Sequence, residues 1–122
     1  MDIETCRLYC LSKLGAEECF PFDEHTLVFK VMGKMFALCG LERNPMQINL
    51  KANPEYSEEL RDTYPEHIFP GFHMSKKHWN SVFLEEGLED ALITSLIDHS
   101  YDLVVAKLPK KNKVALQELA NE

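Results

Sequence analysis

Residues 25–50 read HTLVFKVMGKMFALCGLERNPMQINL. At the start of this segment, Leu27, Phe29 and Val31 alternate with other side chains, as expected of a strand with one buried face. Gly33-Lys34 predicts a hairpin turn into a second strand over 34–41, and Arg43-Asn44-Pro45 is typical of a further turn. A third strand follows, on which Met46, Ile48 and Leu50 alternate. This segment therefore predicts three meandering antiparallel strands.

Helical patterns flank the three strands. Before them, Ile3, Cys6, Cys10 and Leu14 form one stripe of a helix of three to four turns that Gly15 would end. After them, Asn53-Pro54 is typical of a helix start, with Asn as the cap and Pro in the first helical position. The longest helical periodicity runs from Leu92 to Leu108, and a last short helix is expected near residues 114–119.

Two segments between these helices complete the predicted sheet. Residues 78–84 alternate as a strand, with Trp79, Ser81 and Phe83 on one face, and residues 68–74 indicate a loop or a short edge strand. Because short turns join the strands and the helices are segregated from them, we expect an α+β fold. It would be a two-layer sandwich, an antiparallel sheet with helices packed on one face.

Size and composition limit the class of protein. The 122 residues fit a single domain over 1–122, and 45% hydrophobic with 27% charged residues is typical of a globular chain. The longest run without Asp, Glu, Lys or Arg is nine residues, too short to span a bilayer. Asp2 and Glu4 lie where a signal peptide would be cationic, so we expect a cytoplasmic protein. Its four cysteines lack zinc-site spacing and are expected to be reduced core thiols.

Charge is distributed unevenly along the chain. The net charge is −7, yet residues 67–84 carry two lysines and no acid, and residues 103–117 carry four lysines and no acid. Residues 85–102, in contrast, hold six acids and no base. Since an acidic protein repels polyanions at long range, any nucleic-acid binding has to come from the local basic stretches.

The segment 73–79, HMSKKHW, has the clearest binding chemistry. A cationic strand edge with an aromatic side chain can contact phosphates and stack on a base. The predicted surface therefore consists of Lys34, Lys51, His73, Lys76, Lys77, His78 and Trp79. The alternative interpretation is structural: Trp79 is a core residue of a strand, and Lys76 and Lys77 are solvated charges that keep a sheet edge from pairing.

Metal binding and catalysis are not predicted. His73 and His78 are five residues apart, which puts them together on neither a helix nor a strand face. Ser100 and Tyr101 fall within the long helical pattern, where Tyr101 shares the buried stripe and His99 points elsewhere than Ser100. No glycine loop of the phosphate-binding kind is present. We therefore expect no catalytic residue, no metal and no cofactor.

Several sequence blocks resemble the MmcQ/YjbR family of small bacterial proteins. They are Leu14-Gly15-Ala16-Glu17-Glu18, Pro21-Phe22, Val28-Phe29-Lys30-Val31, Gly33-Lys34-Met35-Phe36-Ala37-Leu38, Asn49-Leu50-Lys51, His73-Met74-Ser75-Lys76-Lys77-His78-Trp79 and Ser100-Tyr101-Asp102-Leu103-Val104. The resemblance covers nearly the whole chain. It implies a CyaY-like domain, described for the family as a double-wing fold, with a DNA-binding role.

The sequence thus predicts a non-enzymatic protein that binds DNA through a local basic strand-edge surface. The alternative is a protein-interaction or chaperone-like adaptor that uses Phe69, Phe72 and Trp79 as anchors and does not bind nucleic acid. The expected partners are DNA or another protein, with no membrane contact. Monomer and homodimer both stay open.

Overall fold

The structure, a computed structural model, describes residues 1–71 and 74–122. Its elements in chain order are α1 (Ile3–Leu11), β1 (Ala16–Cys19), β2 (Thr26–Val31), β3 (Lys34–Gly40), β4 (Gln47–Lys51), α2 (Pro54–Thr63), β5 (Ile68–Pro70), β6 (Trp79–Phe83), α3 (Asp90–Ala106) and α4 (Lys110–Ala120). The strands form one antiparallel sheet in the order β1-β2-β3-β4-β6-β5. The predicted α+β class is confirmed.

The sheet and the helices share one core on one face of the sheet. Leu27, Phe29 and Val31 of β2 are fully or almost fully buried there, as the alternation predicted. Ile93, Leu96, Ile97 and Val104 of α3 pack against the same core. Cys6 and Cys10 of α1 are completely buried, and all four cysteines are free thiols. Within the described residues, none of the helices has the length and hydrophobicity that crossing a bilayer requires.

The structure differs from the sequence-based expectation around the first hairpins. The meander has an additional edge strand, β1, whose residues AEEC lack an apolar alternation. α1 ends at Leu11, before the expected Gly15, whose φ of +71° belongs to the turn that leads into β1. The β2–β3 turn consists of Met32 and Gly33 rather than Gly33-Lys34, because Val31 and Lys34 form the last strand pair. Both turn residues have positive φ, as this two-residue turn requires.

Later elements follow the sequence signals closely. The side chain of Asn53 caps α2 by accepting the Tyr56 N–H at 2.8 Å, and Pro54 is the first helical residue. β5 is the short edge strand that the sequence allowed. The last helix is longer than predicted, since α4 covers 11 residues.

The β3–β4 ladder stops at Ala37–Leu50, next to a serine of α3. Phe36, the residue of β3 that follows in this direction, is a β-bulge, because Ala37 pairs with Phe29 of β2 whereas Met35 pairs with Lys30. The Ser100 hydroxyl donates to the Phe36 carbonyl at 2.5 Å and accepts the Lys51 N–H at 2.8 Å. β3 and β4 therefore separate beyond Ala37, with the side chain of Ser100 filling the opened rung.

A polar cluster ties α1 to α3. One carboxylate oxygen of Asp98 accepts hydrogen bonds from the Tyr9 hydroxyl and from Lys13 Nζ, both at 2.7 Å. The Asp98 hydrogen bond raises the pKa of Tyr9 to about 12, because the protonated phenol is the donor. Tyr101 is 8% exposed and its hydroxyl donates to the Leu14 carbonyl at 2.5 Å, which confirms the predicted near-core position.

Candidate functional site

The face of the sheet opposite the helices presents a continuous row of side chains. Residues paired across antiparallel strands project to the same side of a sheet. The register therefore places one residue from every strand in this row: Cys19, Val28, Leu38, Asn49, Ser81 and Phe69. Since the shared core lies on the other side, this face is the one from which a ligand could approach the sheet.

Lysines surround a cleft at the end of the sheet where β3 and β4 separate. We call it the lysine cleft, with a volume of about 400 Å³. Its cationic lining comes from four different elements or their ends: Lys30, Lys34, Lys51 and Lys107. Trp79, Phe22 and Met35 contribute aromatic and apolar surface. A cleft that combines these two chemistries can hold an anionic group next to a flat or apolar one.

Local folding explains why these lysines meet. Lys51 and Trp79 are cross-strand partners of β4 and β6, so both project from the helix-free face. The opened rung exposes the end of α3 between the separated strands, and Val104 and Lys107 line the cleft from there. Lys107 thus reaches the sheet face although its helix packs on the other side.

No acidic residue is among the described residues that line the lysine cleft. Among the ion pairs in the described part of the chain, none involves its four lysines. Glu17 lies opposite Lys30 in the sheet but does not form an ion pair with it. Partial burial, and then the positive charge of Lys107, lower the pKa of Lys51. A bound anion would relieve the repulsion between Lys51 and Lys107.

A second, less charged cleft adjoins the first on the same face. We call it the amide cleft; its volume is about 470 Å³. Phe22 and Met35 line both clefts. The rest of its described lining combines apolar residues, two amides, two hydroxyl residues and one cation: Leu38, Gly40, Met74, Gln47, Asn49, Thr26, Ser75 and Arg43.

Asn49 is the most deeply placed polar side chain of the amide cleft. It is 9% exposed, and its Oδ1 accepts the Ser81 hydroxyl at 2.7 Å. No described residue bonds to the other end of this amide. Because the Ser81 hydroxyl can donate or accept, either orientation of the amide leaves one end for a ligand.

The residues predicted from the sequence divide into three groups. Lys34, Lys51 and Trp79 do come together, in the lysine cleft. Lys76 and Lys77 are exposed on the turn before β6, and His78 is half-buried there; none of the three lines either cleft. His73 lies outside the described residues, so its part in the predicted surface stays a prediction.

Trp79 has features of both sequence interpretations. It is only 8% exposed, as the structural alternative expected, yet it lies outside the core shared with the helices. It lines the lysine cleft from the helix-free face and is no open stacking platform. The exposed aromatic side chain next to it is Phe22, 65% exposed, on the connection between β1 and β2.

Arg61 of α2 holds the turn that carries Lys76 and Lys77. Its Nε donates to Asn80 Oδ1 at 2.7 Å, and its Nη2 donates to the carbonyls of Lys76 and of Trp79, the latter at 3.3 Å. This guanidinium group therefore reinforces a turn that is also held by backbone hydrogen bonds, such as the one from the Trp79 N–H to the Ser75 carbonyl at 2.9 Å. Sequence reasoning missed Arg61 because its partners are 15 to 19 positions away.

Three contributors to the clefts were also missed. Lys30 alternates outward on β2, which the strand pattern could have indicated. Phe22 precedes that strand in an irregular segment and carries no periodic signal. From the sequence alone, Lys107 is sufficiently explained as a cation that complements the C-terminus of a helix. Only the structure shows that it lines the lysine cleft.

Groups with catalytic or metal-binding potential are engaged elsewhere or isolated. The Ser100 hydroxyl makes the two backbone contacts described above and is completely buried. Over residues 1–71 and 74–122, no three His, Cys, Asp or Glu side chains lie close enough to hold a metal ion.

Comparison with known proteins gives consistent relatives. The family model described as YjbR matches residues 11–103. The chain is 41% identical over 110 residues to the uncharacterised protein YbdF of Escherichia coli O157:H7, covering 90% of this chain and 89% of that one. It is 34% identical to the uncharacterised protein YjbR of Escherichia coli K12, covering 98% and 100%. The crystal structure of protein DR2400 from Deinococcus radiodurans superposes with a TM-score of 0.87 at 38% identity, covering 94% of this chain and 87% of that one.

Proposed function

We propose that this chain, which belongs to the YjbR family, binds DNA through the lysine cleft. The observation that carries the proposal is the convergence of four lysines from separate elements on one cleft, none of which forms an ion pair within the described part of the chain. Proteins do not gain stability by gathering like charges, so a cluster of this kind favours an anionic ligand.

The overall charge of the protein supports a confined contact. With a net charge of −7, the molecule repels polyanions except where lysines dominate locally. A strand of DNA would therefore contact the helix-free face with its phosphates on Lys30, Lys34, Lys51 and Lys107. Each phosphate contact releases counterions, so the binding constant falls with salt by a logarithmic slope of about 0.9 per contact on a duplex and about 0.7 on a single strand.

The test compares three double variants that each remove two positive charges. Lys34→Gln with Lys107→Gln changes the lysine cleft, Lys76→Gln with Lys77→Gln changes the basic turn, and Lys110→Gln with Lys111→Gln changes exposed positions of α4. Because the net charge is the same in all three, only location differs. Affinity for labelled duplex and single-stranded DNA is measured by fluorescence anisotropy at several salt concentrations.

We expect the cleft variant to lose affinity and to reduce the salt slope by about 1.4 on a single strand or about 1.8 on a duplex. The α4 variant should bind like the wild type. The turn variant measures whether Lys76 and Lys77 extend the surface, as the sequence predicted. Equal losses in the cleft and α4 variants would mean that only the total charge matters, and absence of binding at low salt would refute DNA binding.

A protein-interaction role is the second candidate. Of its predicted anchors, Trp79 is 8% exposed and Phe69 is 36% exposed, while Phe72 lies outside the described residues. The observation that favours this role is a different pair, Phe20 and Phe22, which are 49% and 65% exposed. Self-association that persists at high salt and disappears in Phe20→Ser with Phe22→Ser, measured by light scattering, would support this candidate over DNA binding.

A further inference from the structure

We propose that the amide cleft accepts an unpaired nucleobase, so that the preferred ligand is single-stranded DNA. The inference rests on the proposed function, since the phosphates of the same strand would lie in the lysine cleft. It adds the chemical class of a second, adjoining site and the form of the nucleic acid.

The two clefts have complementary chemistry. The lysine cleft has four cations, whereas the lining of the amide cleft is mainly apolar or uncharged and polar, with Arg43 as a cation. A nucleotide has the same division, with a charged phosphate next to a flat base that has polar edges. Because Phe22 and Met35 line both clefts, one nucleotide can occupy the two at once. The volume of about 470 Å³ lies in the range of about 300–1,000 Å³ typical of small-molecule sites.

Two groups in the amide cleft suit a base. The exposed ring of Phe22 offers a surface on which a base can stack. Asn49 offers the end of its amide that Ser81 does not use, from a position that is 9% exposed. This end of the amide can donate to or accept from the edge of a base, so it can add a polar contact to the stacking.

The depth of Asn49 argues against a duplex. A base that reaches a side chain at the floor of the cleft has to leave its stack and its Watson–Crick partner. Unpairing costs least when the nucleotide is already single-stranded. Proteins that bind single strands combine a cationic groove with aromatic stacking, which is the combination on this face.

The experiment compares a labelled oligothymidylate with an abasic strand of the same length and label. Thymine bases have carbonyl acceptors for an amide donor, while the abasic strand keeps every phosphate. We expect the wild type to bind the oligothymidylate at least about fivefold more tightly, because stacking of a base on an aromatic side chain is worth that much or more. The salt slopes for the two strands should be similar.

Two cleft variants and their matched controls locate the effect. Phe22→Ala removes the stacking ring, and Phe20→Ala removes an exposed ring that lines neither cleft. Leu38→Trp fills the amide cleft, and Leu8→Trp adds the same side chain to an exposed position of α1. Both cleft variants should bring the affinity ratio of the two strands towards one, while both controls keep it.

The outcomes separate this inference from the proposed function. Salt-dependent binding with equal affinity for both strands would overturn the base site and leave DNA binding through the lysine cleft intact. An unchanged ratio in Phe22→Ala and Leu38→Trp would likewise overturn it. Competition by thymidine monophosphate at the concentration of the oligonucleotide would assign the cleft to a free nucleotide instead of a strand. If neither strand binds, both proposals fail together.

Discussion

The substitution Ser100→Ala tests the opened rung between β3 and β4. The Ser100 hydroxyl is the partner of two backbone groups, the Phe36 carbonyl at 2.5 Å and the Lys51 N–H at 2.8 Å. Alanine removes only one oxygen atom and leaves almost no cavity. The effect on stability therefore measures the hydrogen bonds rather than packing.

The expected magnitude follows from the environment of these two groups. Each buried backbone group that loses its partner costs about 1–3 kcal/mol, and Ser100 is completely buried. The higher helix propensity of alanine returns about 0.5 kcal/mol. We expect the free energy of unfolding to fall by about 2–4 kcal/mol. With a urea m-value of about 1.5 kcal/mol per molar, a loss of 3 kcal/mol lowers the midpoint by about 2 M.

The assay is urea unfolding followed by the fluorescence of Trp79, the one tryptophan of the chain. Ser95→Ala is the matched control, because Ser95 is an exposed serine of the same helix whose hydroxyl bonds only to the Leu92 carbonyl at 2.7 Å. It should change stability by no more than about 0.5 kcal/mol. Equal midpoints for the two variants would refute the reasoning. So would full hydrogen-exchange protection of the Lys51 amide in Ser100→Ala, since the strands would then have closed the rung themselves.

The remaining predictions concern three other features. Arg61→Met should lower the free energy of unfolding by about 2–3 kcal/mol in the same urea assay. The reason is that the hydrogen bonds from the guanidinium group to Asn80 and to the carbonyls of Lys76 and Trp79 are lost. An unchanged urea midpoint would contradict this contribution of Arg61 to stability. Ultraviolet titration should show a phenol with a pKa of about 12 that is missing in Tyr9→Phe. Since the folded pKa of Tyr9 lies above the unfolded value near 10, its stabilising contribution is complete below pH 10 and is lost as the pH rises through 12. Because the chain has four tyrosines, the prediction is excluded if the transition that disappears in Tyr9→Phe lies near 10 instead of 12. Gly15→Ala should destabilise more than Gly33→Ala: both positions have positive φ, but only at Gly15 does a new Cβ meet another side chain, at 2.7 Å. Equal midpoints for the two glycine variants would show that this close approach is relieved without cost.

Local sequence signals were enough for most of the fold. The alternation at Leu27, Phe29 and Val31 gave the buried face of β2, and Asn53-Pro54 gave the start of α2. These features depend on neighbouring residues alone, which is why they can be inferred from one sequence. β1 could not be inferred, because its residues AEEC become a strand only by pairing with the edge of β2.

The candidate site was predicted less completely for a related reason. Lys51 and Trp79 were both chosen from the sequence, but their direct pairing depends on the register of β4 and β6. The position of Lys107 in the lysine cleft depends on a tertiary feature, the separation of β3 from β4. Asn49 belongs to the block Asn49-Leu50-Lys51 that carries the family resemblance, but nothing in the residue pattern marked it as part of a site. A single asparagine in a strand is recognisable as such only when its neighbours and its burial are known.

The opened rung connects the stability of the fold with its candidate function. If β3 carried no bulge at Phe36, its ladder with β4 could continue past Ala37–Leu50 and close the end of the sheet over α3. The hydroxyl of Ser100 instead bonds to the Phe36 carbonyl and the Lys51 N–H, so the sheet stays open there while both backbone groups have partners. The same opening lets Val104 and Lys107 line a cleft with Lys34 and Lys51. A direct hydrogen bond between the backbones of β3 and β4 would be the simpler way to stabilise this sheet. It would also close the opening through which Lys107 lines the cleft. The serine is therefore better explained by the cleft that it keeps open than by stability alone. If the lysine cleft binds DNA as proposed, Ser100→Ala should weaken that binding even under conditions in which the variant is fully folded.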